Sequence, residues 1–299
     1  MVRALTEVIL PVILVAGLGA FLARTFTIDQ TSTNKIQLFG LVPALAFSSI
    51  MKTQLPMGQV VGLGVAYLAT SLAIGLVAWV AARGIPAKSR GPVIACAVVG
   101  NNGNFGLPIA LLALGQAGLD QAVVIFLFSI VLMWTVGPVL LGSHGGPRAA
   151  VLAIVRLPAL WAMAAALVLK ATNLTLPVGV NAAVELVAQA CIPMVLLSLG
   201  VQLGSSKRIH VTRPVLLATA LRVVVLPLLA WGVGRLVGLS GLPLQSLVLA
   251  CAMPTAVNIA MIALEYSEDA DTVASEVALS TLLSIGTLAI VVTNLPVFA

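Results

Sequence analysis

The sequence predicts an all-helical polytopic membrane protein: ten transmembrane helices in two inverted five-helix repeats, with helices four and nine broken. Three observations carry this. Of 299 residues, 61% are hydrophobic and 8% charged, with mean hydropathy +1.16, whereas soluble proteins average about 25% charged residues. Polar breaks divide the chain into ten apolar segments of roughly the 20 residues that a bilayer core requires. Two of these segments carry polar, helix-breaking clusters at corresponding positions of the two halves.

Taken in order, the ten segments run approximately 4–24, 35–54, 57–82, 91–115, 119–142, 150–171, 179–202, 212–237, 242–265 and 270–295. The first, built on Val8 to Ala23, reads as a retained span rather than a cleaved leader. The connections are short and leave no room for a soluble domain; the longest polar one, from Ser143 to Arg148, separates spans five and six. Basic residues set the orientation. Arg24, Lys35, Arg83, Lys88, Arg90, Arg148, Arg156, Lys207, Arg208 and Arg213 follow odd-numbered spans, against Arg3, Lys52, Lys170 and Arg235 on the other side. Ten against four places both termini outside and the odd-numbered loops in the cytoplasm. The net charge of +6 and pI near 9.7 are then a topology signal, not a nucleic-acid signature.

An offset of about 150 residues relates the halves, residues 1–148 and 149–299. Val42-Pro43 with Ser48 is echoed by Ile192-Pro193 with Ser198, Ala95-Cys96-Ala97 by Ala250-Cys251-Ala252, and Asp120 by Asp271. Five spans per half means that the halves enter the membrane from opposite sides, the architecture of many secondary transporters. In span four the interruption is Gly100-Asn101-Asn102-Gly103-Asn104-Phe105-Gly106-Leu107-Pro108; in span nine it is Met253-Pro254-Thr255-Ala256-Val257-Asn258. Backbone that leaves helical hydrogen bonding in lipid costs several kcal/mol per unsatisfied group, so such breaks persist only beside protein, water or a ligand.

The chemistry of the breaks points to a solute. Pro108 and Pro254 each remove a donor and expose upstream carbonyls, while Gly103 and Gly106 permit irregular dihedrals and close approach. Asn101, Asn102, Asn104, Thr255 and Asn258 offer uncharged donors and acceptors. Two half-helix N-termini converging near the midplane favour a carboxylate. The competing reading is a kink with small-residue packing, since Gly and Pro are common in membrane helices.

Arg222 lies at the centre of span eight, with Pro227 five residues later. A charge there costs at least about 2.5–3.5 kcal/mol and calls for a partner; Glu185 and Glu276 are the candidates. It reads equally as an anion attractor or gate and as a fixed ion pair that locks helix register. Glu265, Glu268, Asp269 and Asp271 read as a solvated face. Cys96, Cys191 and Cys251 read as buried small hydrophobes, remote from His144 and His210, so no metal site is expected. Nor is there a phosphate-binding loop for ATP or a catalytic constellation.

These motifs resemble the auxin efflux carrier superfamily, and within it the bacterial organic-acid (malonate) permease branch. Asn101 to Pro108 is similar to the plant pattern N-T-L-V-M-G-I-P, coinciding at Asn101, Gly106 and Pro108. Arg222 to Pro227 resembles a basic residue five before a proline in the eighth span. Pro254 through Glu265-Tyr266 resembles a P-x₁₀-E-Y run, and Ala274-Ser275 with Ser280-Thr281-Leu282-Leu283-Ser284 resembles the bacterial branch. The resemblance implies the architecture of bile-acid symporters and sodium–proton antiporters. Spans 1, 2, 6 and 7 would form a scaffold and often a dimer interface, and spans 3–5 and 8–10 the transport core. It carries the substrate asparagine to Asn101 and the crossing proline to Pro108. The plant pattern's second proline in span nine is replaced here by Ile259, beside Asn258, and the long regulatory loop of many plant carriers is absent.

The expectation is a secondary active transporter of small organic anions such as malonate or malate, working by alternating access in the inner membrane as a homodimer. No enzyme activity, cofactor, nucleic acid or ATPase subunit is implied. The alternatives are a sodium-coupled symporter or sodium–proton antiporter of the same fold, disfavoured because spans four and nine lack carboxylates at their breaks, and a membrane sensor that binds without transporting.

Overall fold

The computed structural model describes residues 1–53, 55–143, 146–204 and 209–298. His144, Lys207 and Arg208, used above as loop residues, lie outside the described residues. Among the described residues the regular secondary structure is helical apart from one isolated β-bridge. Its helices are α1 (Ala4–Thr25), α2 (residues 30–52), α3 (Met57–Gly84), α4 (Ala87–Val98), α5 (residues 102–114), α6 (residues 116–140), α7 (Gly146–Val155), α8 (Pro158–Ala171), α9 (Val178–Gly204), α10 (Arg213–Leu236), α11 (Gly241–Cys251), α12 (Val257–Tyr266) and α13 (Ala270–Phe298). Six helical stretches, 4–25, 57–84, 102–140, 178–204, 213–236 and 270–298, are long and apolar enough to cross a membrane; α8, α11 and α12 are shorter apolar helices. Large apolar side chains such as Leu14, Phe21, Leu72, Trp79, Trp161 and Leu228 are exposed on the outside of the bundle, as befits surfaces solvated by lipid.

Local sequence explains where helices begin, bend and stop. Span two starts at residue 30 rather than 35 because Asp29 caps it, accepting from the Thr31 and Ser32 N–H groups at 3.0 and 3.3 Å. The Ser32 hydroxyl, which also donates to Asp29, and these N–H groups hold its carboxyl below the usual carboxylate range. Gly115, at φ +68°, turns span four into span five without an intervening loop. The segment expected at 150–171 is not one rod: α7 ends at Val155 and α8 starts at Pro158, because proline drives the preceding Leu157 into extended backbone (φ −85°, ψ 105°).

Four π-helical turns share one cause. They cover Ala4–Ile9, Gln37–Leu41, Asn102–Gly106 and Leu221–Val225, each ending two residues before a proline: Pro11, Pro43, Pro108 and Pro227. The ring would collide with the carbonyl four residues back, and a widened turn relieves the collision while keeping the backbone hydrogen-bonded. Three of the four thus lie in α2, α5 and α10, the helices around the breaks.

Packing falls into two apolar clusters. One joins α3, α4, α10, α11 and α12 with parts of α6 and α13; the other joins α1, α2, α8 and α9 with α5 and the remainder of α6 and α13. In the second, α1 and α9 touch backbone to backbone. A Cβ added to Gly19 would sit 2.1 Å from the Leu197 carbonyl oxygen, and one on Gly200 would sit 1.8 Å from that of Ala16. Such small-residue contact is how helices associate where the hydrophobic effect gives no drive.

Candidate functional site

The two breaks meet. Residues 99–101 and 254–256 run antiparallel, Gly100 opposite Thr255. Asn101 N–H donates to the Pro254 carbonyl at 2.8 Å, and Ala256 N–H donates to the Val99 carbonyl at 3.0 Å. Each break therefore satisfies the backbone groups that the other exposes, which is what membrane depth requires.

Four helix ends converge on this crossing, and they are served differently. The C-terminal ends of α4 and α11 present carbonyls, and Arg222 from the π-turn of α10 takes three of them. Its Nε donates to Met253 O at 2.8 Å, and one terminal nitrogen donates to Ala97 O and Val98 O at 3.0 and 3.3 Å. A cation at helix C-termini is favoured by the dipole as well as by the hydrogen bonds. The N-terminal ends of α5 and α12, whose first-turn N–H groups have no intrahelical acceptor, face the other way, toward a cavity.

That cavity, of about 270 Å³, is lined at the crossing by Gly100, Asn101, Gly103, Asn104, Ala256 and Asn258. α2 adds Thr31, Asn34, Lys35 and Gln37, and α6 adds Phe126, Ser129, Ile130, Met133 and Trp134. It reaches the exposed Thr31 and Lys35 at the start of α2. Two buried donors on its wall lack acceptors: Asn101 Nδ2 and Trp134 Nε1. No aspartate or glutamate is among its described lining residues. Buried donors without partners cost free energy unless a ligand or water supplies acceptors.

The structure divides the expected site residues. Asn101, Asn104, Asn258 and Gly103 line the cavity, and Pro254 contributes its carbonyl to the crossing. Asn102 does not face the cavity: its amide donates to Tyr67 Oη and Ser129 Oγ, both at 3.1 Å, inside the protein. Thr255 is likewise turned inward, its hydroxyl within 2.8 Å of Cys96 O and 3.0 Å of Glu276 Oε1. For Thr255 the reason is the extended backbone of the bridge, where successive side chains point to opposite sides. Pro108 lies in the first turn after the π-turn of α5 and not at the crossing, which falls at residues 99–101; Gly106 N–H there bonds back to Asn101 O at 2.9 Å.

The expected partners of Arg222 also need correction. Glu185 forms an ion pair with Lys52 and accepts from Ser48 at 2.8 Å, which ties α9 to α2 rather than to Arg222. Among the described residues no carboxylate is within ion-pair distance of Arg222, whose partners are carbonyls. Glu276 does reach the crossing, but through Thr255. The crossing therefore has a carboxylate after all, supplied by α13 and not by the broken spans. Asp269 is no merely solvated charge, since it accepts from Ser89 and Thr272. Sequence reasoning missed Lys35, counted only as a loop cation, and Trp134, hidden in an apolar run; an isolated Trp donor amid aliphatic residues was the available signal.

Broken helices crossing beside a donor-lined cavity, within an apolar helical bundle, define an integral membrane protein of the solute-handling class. A family model described as membrane transport protein matches residues 4–152 and 147–292. The chain belongs to this family, that of the auxin efflux carriers, and is a membrane transporter. It is 27% identical over 289 residues to an uncharacterized transporter of Methanothermobacter thermautotrophicus, covering 94% of this chain and 95% of that one. A second uncharacterized transporter, from Methanocaldococcus jannaschii, is 23% identical over 93% of this chain and 95% of its own length. A Rhizobium meliloti protein provisionally named a malonate transporter is 26% identical over 197 residues, 63% of this chain and 62% of its own.

Proposed function

We propose that this transporter is a secondary carrier of small organic anions, carboxylates of malonate size, that works by alternating access. The observation that carries the reading is the cavity wall at the crossing. Asn101 Nδ2 and Trp134 Nε1 are buried donors without acceptors, Lys35 stands at the cavity's edge, and no acidic side chain is among the described lining residues. The N-terminal ends of α5 and α12 add partial positive charge at the same wall. A carboxylate supplies the acceptors that these groups lack. The name of the Rhizobium relative agrees with this chemistry.

In this reading the chain forms ten spans in two inverted repeats, residues 1–148 and 149–299. Spans 1, 2, 6 and 7 are a scaffold against which spans 3–5 and 8–10 move. In keeping with a common scaffold, α1, α2, α8 and α9 share one apolar cluster, which also takes in α5 and parts of α6, α11 and α13. The cavity lies between α2 on the scaffold side and α5, α6 and α12 on the moving side, where a relative motion changes access. The excess of basic residues after odd-numbered spans supports termini outside and a cavity mouth at Thr31 and Lys35 on the cytoplasmic side; the inner membrane and a homodimer are what the family resemblance implies.

Counterflow of labelled malonate in proteoliposomes is the test. Saturable accumulation against preloaded unlabelled malonate is expected, and its loss in Asn101→Ala at unchanged melting temperature. Binding without accumulation would make the protein a sensor. Accumulation that requires a sodium gradient would make it a sodium-coupled carrier, and wild-type transport by a well-folded Asn101→Ala would remove the site assignment.

A further inference from the structure

Glu276 is fully buried on α13, directly behind the crossing. Its Oε1 lies 3.0 Å from the Thr255 hydroxyl oxygen, which in turn lies 2.8 Å from the Cys96 carbonyl oxygen. The carbonyl only accepts, and a hydroxyl has one proton to give. With that proton on Cys96 O, the hydroxyl serves Glu276 only as an acceptor and the contact between them calls for a proton on the carboxyl group; with it on Glu276, Cys96 O loses its Thr255 donor. The Cys96 thiol and the Ser280 hydroxyl also face Glu276 as potential donors. Ser280 spends its hydroxyl proton on Val277 O at 3.2 Å and accepts the Thr255 N–H at 3.2 Å. Glu276 Oε2 has no hydrogen-bond partner among the described residues.

A buried carboxylate without a counter-ion neutralises itself by taking a proton. The charged or titratable groups facing Glu276 from the packed helices are Arg222 of α10 and the Cys96 thiol of α4. Arg222 is outside ion-pair distance; its Nε and one terminal nitrogen are held by carbonyls at the C-terminal ends of α4 and α11, and its other terminal nitrogen has no partner among the described residues. We infer that Glu276 is the proton site of this transporter: it is protonated in the conformation seen here and carries one proton per cycle together with the organic anion.

The balance is simple. The carboxylate takes a proton from water on the side of substrate entry to become the acid, and the acid returns it to water on the opposite side. An anion in the cavity favours the neutral over the charged carboxyl, and by linkage the neutral carboxyl favours the anion. That reciprocity makes the coupling symport. It also reaches the crossing itself: an ionised Glu276 would draw the Thr255 hydroxyl proton away from Cys96 O, releasing the tie between α4 and the break in span nine.

This inference rests on the carrier reading, and two measurements keep their failures apart. The first is the infrared band of a protonated carboxyl C=O stretch in purified protein at neutral pH, expected in wild type and lost in Glu276→Gln. Absence of the band, or its survival in the variant, overturns the protonated assignment whether or not malonate is transported. The second is initial uptake of labelled malonate into proteoliposomes, acidic outside against equal pH. Wild type is expected to show a several-fold ratio, and Glu276→Gln a ratio of one, with protein-free vesicles as the baseline. A wild-type ratio of one, a gradient response in the opposite sense, or an unchanged ratio in Glu276→Gln overturns the coupling. Failure of wild-type malonate counterflow at equal pH sinks the carrier reading instead.

Discussion

A single methyl group at Gly100 tests the crossing most sharply. An added Cβ there would lie 1.9 Å from the terminal nitrogen of Arg222 that has no hydrogen-bond partner among the described residues, 2.8 Å from Cζ and 3.3 Å from the nitrogen that holds α4. Gly100 is not among the glycines with positive φ, so alanine meets no backbone strain and the collision is the whole perturbation. The guanidinium cannot swing aside freely, because it donates to Met253 O, Ala97 O and Val98 O and is buried to 1% exposure. Either the two bonds to α4 are lost or α4 shifts from α10. A hydrogen bond to a charged group contributes about 1.5–3 kcal/mol, so losing two costs roughly 3–6 kcal/mol before relaxation. Gly232, on the same helix as Arg222, is the control, since nothing lies within 4 Å of its added Cβ; alanine there gains up to about 1 kcal/mol of helix propensity. Melting in detergent, followed by size-exclusion chromatography, should show Gly100→Ala several degrees below wild type and Gly232→Ala at or above it. Malonate counterflow should fall with Gly100→Ala. A Gly100→Ala protein that melts and transports like wild type would refute the claim that Arg222 fastens the crossing.

Three further substitutions separate neighbouring roles. Asn102→Ala removes two buried donations, to Tyr67 and Ser129, at about 0.5–1.5 kcal/mol each; a lowered melting temperature with unchanged malonate affinity is expected, the reverse of Asn101→Ala. Gly200→Ala drives a methyl to 1.8 Å from the Ala16 carbonyl oxygen, whereas Gly17→Ala meets nothing within 4 Å. Yield of folded protein should collapse for the first and hold for the second, and equal yields would contradict the close approach of α1 and α9. Glu185→Gln weakens a partly exposed ion pair with Lys52, worth about 0–1 kcal/mol; transport should survive, and its loss would restore Glu185 to a gating role.

What the sequence revealed, and what it hid, follows from the range over which each signal acts. The long apolar helices and the two breaks were legible because apolar length and proline act within a turn or two. The π-turns belong to the same class: Pro11, Pro43, Pro108 and Pro227 each imply a disturbed carbonyl ladder just upstream. Pro158 shows the limit, for its effect on Leu157 was readable but was overlooked within an apolar run. The partners of buried charges were not legible. Glu185 and Glu276 are equivalent as letters, and only packing places one beside Lys52 and the other behind Thr255. Asn101 and Asn102 likewise differ only in fold: Asn101 is still in the non-helical crossing segment (φ −79°, ψ 55°) and lines the cavity, whereas Asn102 opens α5 and turns to Tyr67.

The arrangement also revises the grounds on which an anion is proposed for this crossing. The sequence argument relied on helix N-termini, asparagines and the lack of acidic residues in spans four and nine. In the folded chain the largest positive charge, Arg222, is spent on the C-terminal ends of α4 and α11 and does not line the cavity. Its effect is to neutralise the negative ends of those half-helices, leaving the N-terminal ends of α5 and α12 uncompensated toward the cavity. Glu276 sits behind this arrangement; ionised, it would set a full negative charge against the positive ends. The field at the cavity therefore depends on the proton of Glu276 as much as on Arg222. Substrate preference and proton binding are two readings of one electrostatic balance, centred on Thr255, where the break in span nine touches both Glu276 and α4.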